Sequence, residues 1–169
     1  MSDDRAVVVL IGAPGAGKTR TGKRLAKLLD VPLVDTDSRI VETNGPIADI
    51  FDSLGESHFR ALERVEVARA LTERAVVTLG GGAVLDEDTQ AELAGLRVVQ
   101  LTVDAEAVAE RIAGGKRPLV RDGIEAWAAL VAQRQPIYDK LSQLTIDTSH
   151  VPLDGVAQTI ADWLERQTK

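Results

Sequence analysis

Val7-Val-Val-Leu-Ile11 running into Gly12-Ala-Pro-Gly-Ala-Gly-Lys18-Thr19 is the stretch that decides the fold. The β-branched run from Ala6 to Ile11 reads as a strand buried on both faces and ended by a glycine-rich turn. The turn satisfies G-x-x-x-x-G-K-[ST] in full. Lys18 to Leu29, with Leu25, Leu28 and Leu29 at helical spacing, supplies the helix that must follow. Glycines at these positions let backbone N–H groups wrap an anion at a helix N-terminus. Lys18 then reaches the β- and γ-phosphates of a nucleotide, and the Thr19 hydroxyl is a ligand for Mg²⁺. ATP or GTP is the expected ligand, with Gly15, Ala16, Gly17, Lys18 and Thr19 as its contacts.

Outward from the loop, Val31-Pro-Leu-Val34, Ala75-Val-Val-Thr-Leu79, Leu96-Arg-Val-Val-Gln-Leu101 and Leu144-Thr-Ile146 read as four further strands. Ser53-Leu-Gly-Glu56 matches a capping box opening a long helix, with Phe59, Leu62, Val65, Ala68 and Leu71 expected inward. Helices are also expected over Asp86 to Leu93, Asp104 to Ala113, Asp122 to about Arg134, and Asp154 to Arg166. Pro136 should break or kink the helix that carries Arg134. Strands alternating with helices predict one α/β domain spanning 1–169, its parallel sheet covered on both faces. Gly114-Gly-Lys-Arg-Pro-Leu-Val-Arg121 reads either as a mobile insertion or as an ordinary loop.

Composition removes several classes of function. Acidic residues outnumber basic ones by 26 to 20, for a net charge of −6, which disfavours nucleic-acid and anionic-membrane surfaces. Aromatics are only 3%, too few for base-stacking platforms. Without cysteine there is no disulfide scaffold, thiolate metal site or thiol nucleophile. The apolar run at the start is too short for a signal h-region or a membrane span, and Asp3 and Asp4 stand where a signal would need positive charge. The expectation is a soluble, cytoplasmic protein.

The loop alone does not say which phosphate machine this is. No N-K-x-D element supports a GTPase, and Asp52-Ser-Leu-Gly55 follows no strand. A motor ATPase would end a later strand in an acidic residue, yet the third strand runs into Gly80-Gly81-Gly82. The acidic residues come early, as Asp35-Thr-Asp37. Two apart on an extended chain, both carboxylates would face the ligand crevice, one toward Mg²⁺ and one toward an acceptor hydroxyl. A polar strand-to-helix turn, with Asp37 or Ser38 as cap, is the alternative. Arg60 and Arg134 are candidate anion contacts in an otherwise acidic chain.

Together with the loop, Asp35-Thr-Asp37, Ile47-Ala-Asp-Ile-Phe51, Gly55-Glu-Ser-His-Phe-Arg60-Ala-Leu-Glu63, Leu79-Gly-Gly-Gly-Ala-Val84, Arg117-Pro-Leu119 and Arg134-Gln-Pro-Ile-Tyr138 make the chain resemble shikimate kinase. The blocks occur in order over nearly the whole length. Adenylate kinases are usually longer and carry a glycine between the loop Lys and Thr, which is absent here. The resemblance implies a nucleoside-monophosphate-kinase-like fold, with a five-stranded parallel sheet in order 2-3-1-4-5. It implies a substrate-binding insertion at about 38–64 and a short lid at about 113–123. It also implies ATP-dependent phosphorylation of the shikimate 3-hydroxyl, a step toward chorismate and the aromatic amino acids.

Carried over by residue, Asp37 would take the hydroxyl proton, and Arg60 and Arg134 would clamp the carboxylate. Gly80, Gly81 and Gly82 would line the ring, with Phe51 and Phe59 either as walls of the ring pocket or as plain core packing. Thr19 and Asp35 would organise Mg²⁺. Arg117 would bring its charge to the phosphoryl group, Lys18 would act beside it, and Arg111 would flank the adenine. The family's Asn-Arg-Arg-like turn after the fifth strand is replaced by Asp147-Thr-Ser-His-Val151, which removes its expected adenine contacts. A monomer with no nucleic-acid or membrane partner is implied. Gluconate kinase and adenylate kinase are the alternatives on the same fold, and a catalytically silent nucleotide-binding paralogue is the alternative of another class.

Overall fold

Five parallel strands in order β2-β3-β1-β4-β5 form the centre of the computed structural model, which describes residues 4–113 and 123–168. The strands are β1 (Val8–Gly12), β2 (Leu33–Asp35), β3 (Val76–Thr78), β4 (Val98–Thr102) and β5 (Leu144–Asp147). Val9 pairs with Val77 on one side and with Val98 on the other, so β1 lies mid-sheet and is wholly buried. Alternation along β1 then assigns its side chains to two cores. Val9 and Ile11 join Val67, Leu93 and Tyr138 on one face. Val8 and Leu10 join Leu25, Trp127, Val156 and Ile160 on the other.

Helices cover both faces: α1 (Lys18–Leu29), α2 (Thr36–Asn44), α3 (Ile47–Leu54), α4 (Glu56–Ala70), α5 (Glu87–Leu93), α6 (Ala105–Ala113), α7 (Ile124–Leu141) and α8 (Leu153–Gln167). A 3-10 turn, Ala83–Leu85, follows the three glycines. The strand order and fold class are as expected from the sequence. The short helix α3 was not anticipated, and α2 is the helix of the alternative strand-to-helix reading; together they carry the region between β2 and α4.

Three local expectations are corrected. No capping box forms at Ser53, because α3 absorbs that residue and α4 starts after Gly55 with no side-chain cap. On α4 the buried stripe is Phe59, Glu63, Val67 and Ala70, whereas Val65, expected inward, is 70% exposed. The true helical period is 3.6, and a strict step of three drifts off the buried face within two turns. The third concerns Pro136, which does not end its helix: α7 continues to Leu141. Burial of Tyr138 and Leu141 in the first core holds the segment helical past the missing donor.

Candidate active site

At the C-terminal edge of the sheet, the loop between β1 and α1 opens a cleft of about 340 Å³. Pro14, Gly15, Gly17, Lys18 and Thr19 line it, opposite Asp35, Asp37 and Gly80. Gly15 and Gly17 both sit at φ 88°, a left-handed conformation that L side chains rarely adopt. The Lys18 ammonium donates to the carbonyls of Gly12 at 2.6 Å and Ala13 at 3.0 Å, which folds the lysine along the loop.

Asp35 does two jobs. One carboxylate oxygen accepts the Ser38 N–H at 3.1 Å and caps α2, while the other accepts the Thr19 hydroxyl at 2.7 Å. The cap is therefore neither Asp37 nor Ser38. The two aspartates also do not reach the cleft by strand alternation: Asp35 ends β2, and Asp37 lies in the first turn of α2. Asp37 Oδ1 is buried without a hydrogen-bond partner. Burial raises the Asp37 pKa, and the charge on Asp35 raises it further, against the pull of Lys18 and Arg60. A carboxylate made more basic in this way is suited to accept a proton.

Beside this cleft, a second cavity of about 280 Å³ is lined by Arg60, Glu63, Arg64 and Gly82. Arg60 donates to Glu63 at 2.8 Å, one turn on along α4, and its guanidinium lies 5.4 Å from the centre of the Phe59 ring. Glu63 is only 4% exposed, and burial raises its pKa despite the bond from Arg60. Arg134 from α7 is 8% exposed, with its Nε unpartnered. Tyr138, one turn later, donates to the Gly81 carbonyl at 2.6 Å. Burial raises the Tyr138 pKa, which keeps it a neutral donor.

The glycine run is fixed by what surrounds it. A β-carbon on Gly80 would lie 2.7 Å from both Asp37 carboxylate oxygens, and one on Gly82 would lie 2.5 Å from both terminal nitrogens of Arg60. One on Gly81 would lie 3.1 Å from an Arg134 nitrogen. The backbone of 80–82 thus touches three of the charged groups expected from the sequence. Gly82→Ala is expected to push Arg60 off its position, raising KM for the acceptor about tenfold or more with little change in Tm. An unchanged KM would show that Arg60 does not act from this position.

Not every expected residue joins the site. Phe59 is buried with Ile40 and Ile50, and Phe51 packs against it at 5.0 Å between ring centres; neither ring lines the two cavities. Phe59 instead packs against the Arg60 guanidinium, and Phe51 packs against Phe59. The Arg111 guanidinium donates to the carbonyls of Gly15 and Thr148, both at 2.6 Å, so its contacts are with the loop backbone and the turn after β5. Arg117 and residues 114–122 of the expected lid lie outside the described residues. Glu63 and Tyr138 were given no role by sequence reasoning, although the Arg60-x-x-Glu63 spacing of one helical turn was a readable signal.

Residues 14–165 match the shikimate kinase family model. The chain belongs to the shikimate kinase family. A shikimate kinase from Thermobifida fusca is 47% identical over 161 residues, covering 93% of this chain and 94% of that protein. One from Salinispora tropica is 47% identical over 159 residues, covering 92% and 95%. The solved structure of shikimate kinase from Acinetobacter baumannii in complex with shikimate superposes with a TM-score of 0.88 at 31% identity, covering 96% of this chain and 94% of that one. A gluconokinase from Sinorhizobium meliloti, at 16% identity and a TM-score of 0.62, shares the fold alone. As a member of the shikimate kinase family, the chain is an ATP-dependent enzyme that phosphorylates shikimate in aromatic biosynthesis. Among the described residues, no helix is long and apolar enough to cross a membrane.

Proposed function

We propose that ATP lies along the phosphate loop and shikimate between Asp37, the glycine run, Arg60 and Arg134, where the two cavities adjoin, and that the γ-phosphoryl group passes to the 3-hydroxyl beside Asp37. The observation that carries this assignment is the placing of Asp37. Its carboxylate, made more basic by burial, stands between the phosphate loop and the glycine run, with the arginines beyond. Asp37 orients the hydroxyl and accepts its proton as the O–P bond forms. Phosphoryl transfer is loose, so orientation by Asp37 contributes alongside its basicity.

Lys18 leaves the Gly12 and Ala13 carbonyls to meet the β- and γ-phosphates. Arg60 and Arg134 take the substrate carboxylate, with Arg60 held by Glu63. Thr19 and Asp35 fit a magnesium ion: two hard oxygens 2.7 Å apart lie at the floor of the phosphate cleft. Among the described residues no three acidic, His or Cys side chains are placed to hold a metal ion together, so the nucleotide's own oxygens would complete the shell. When bound, the ion supplies charge neutralisation on the phosphates. The role of Arg117 at the transferring group, and that of Arg111 at the adenine, rest on the family pattern. The protein is proposed to act as a cytoplasmic monomer.

A coupled assay of ADP release against shikimate, gluconate and AMP tests the reading. Turnover with shikimate alone is expected, whereas faster release with gluconate or AMP would overturn it. Arg60→Lys is expected to keep the charge but lose the fork-shaped contact, weakening shikimate by about 2 kcal/mol or more. ATP affinity in the same variant should hold. A parallel loss of both would point to misfolding rather than to a clamp.

A further inference from the structure

Three successive carbonyls of the phosphate loop each accept a hydrogen bond from a side chain far away in sequence. Pro14 O accepts the Trp127 indole N–H at 2.8 Å, from α7. Gly15 O accepts Arg111 at 2.6 Å, from α6. Ala16 O accepts the Thr148 hydroxyl at 2.8 Å, from the turn after β5, the single proton being shared with Thr102 O at 3.0 Å. Thr148 is fully buried, and Trp127 is 4% exposed. Arg111 also donates to the Thr148 carbonyl, so two of the three donors are tied to each other.

A planar trans peptide points its C=O and its N–H in opposite directions, and among the described residues no peptide is cis. Holding the carbonyls of Pro14 and Ala16 at the back of the loop therefore aims the N–H groups of Gly15 and Gly17 forward. Gly15 and Gly17 line the nucleotide cleft, with Pro14, Lys18 and Thr19, whereas Ala16 does not. The Ala16 N–H instead closes the turn onto Ala13 O at 3.1 Å. Fixed dipoles stabilise anionic charge without reorganising, which is the advantage of setting peptide planes beforehand.

We propose that Thr148 and Trp127, with Arg111 between them, are positioning residues that set the peptide planes of the phosphate loop for nucleotide binding. The proposal rests on the assignment of the loop cleft to ATP. It gives the turn at 147–151, which lacks the family's arginines, a function through its buried threonine rather than through adenine contacts.

Calorimetric titration of ADP, with KM for ATP and for shikimate measured separately, tests the proposal. Thr148→Val keeps the shape and removes the donor. It is expected to weaken ADP about tenfold and to raise KM for ATP, with KM for shikimate unchanged. Thr148→Ser should restore nucleotide binding, and Trp127→Phe should act in the same direction as Thr148→Val. Wild-type affinity for ADP in Thr148→Val would overturn the proposal. Nucleotide and shikimate affinities falling together in step with Tm would also overturn it, by reducing the contact to general stability. Wild-type protein that fails to bind ADP would overturn the reading of the cleft itself.

Discussion

Asp37→Asn is expected to leave a folded protein whose kcat is lower by about 10²–10⁴-fold. Asparagine keeps the size and one acceptor oxygen but cannot take the proton. Helix α2 should be undisturbed, because Asp35 supplies its cap. The pKa of Asp37 is raised in the fold by burial first and by Asp35 second. Such a group contributes its stability below the unfolded pKa and loses it as pH rises through the folded value. At neutral pH the ionised carboxylate thus works against folding, so Tm of Asp37→Asn at pH 7 should equal or exceed that of the parent. By the same sign, the acidic limb of the kcat/KM profile should lie above the ordinary carboxylate range. Turnover retained in the variant would remove Asp37 as proton acceptor, and a fall in Tm would assign it a structural task.

Lys18→Ala is the second large effect, a loss of about 10²-fold or more in kcat from missing charge at the transferring phosphoryl group. Lys18 also lowers the pKa of Asp37 through space. Residual activity in Lys18→Ala should therefore show an acidic limb moved to still higher pH. Near-normal turnover in a folded variant would exclude the lysine from the mechanism. An unmoved acidic limb would mean that the two groups do not sense each other during catalysis.

Much of this arrangement was readable in the sequence because local chemistry and fold agree there. The loop needs glycine at Gly15 and Gly17 for its left-handed turns, and a strand before it and a helix after it, and all of these are written contiguously. Asp37, Arg60, Arg134 and the glycines were named in advance, and the fold brings them together. What escaped reading depends on burial and on contacts that only the assembled fold supplies. Glu63 is a charged residue facing inward on α4, tolerable only because Arg60 reaches it and Arg134 lies near. A hydropathy pattern puts such a residue outside. Pro136 is a helix breaker by rule, yet the core contacts of Tyr138 and Leu141 outweigh its missing donor. Thr148 contacts Ala16 across 132 positions, and no local pattern announces a hydroxyl that serves a loop at the other end of the chain.

The glycine run has a bearing on inhibition. Where the phosphate cleft adjoins the Arg60 cavity, residues 80–82 present main chain with no side chain to exchange. An inhibitor resting on residues 80–82 would meet a surface that a point mutation can alter only by adding a β-carbon. That carbon would overlap Asp37 at Gly80 and Arg60 at Gly82 and would crowd Arg134 at Gly81, groups the enzyme needs for its own substrate. Resistance arising on that surface would carry its own loss of fitness, whereas resistance through Glu56 or Arg64 at the rim would not face the same constraint.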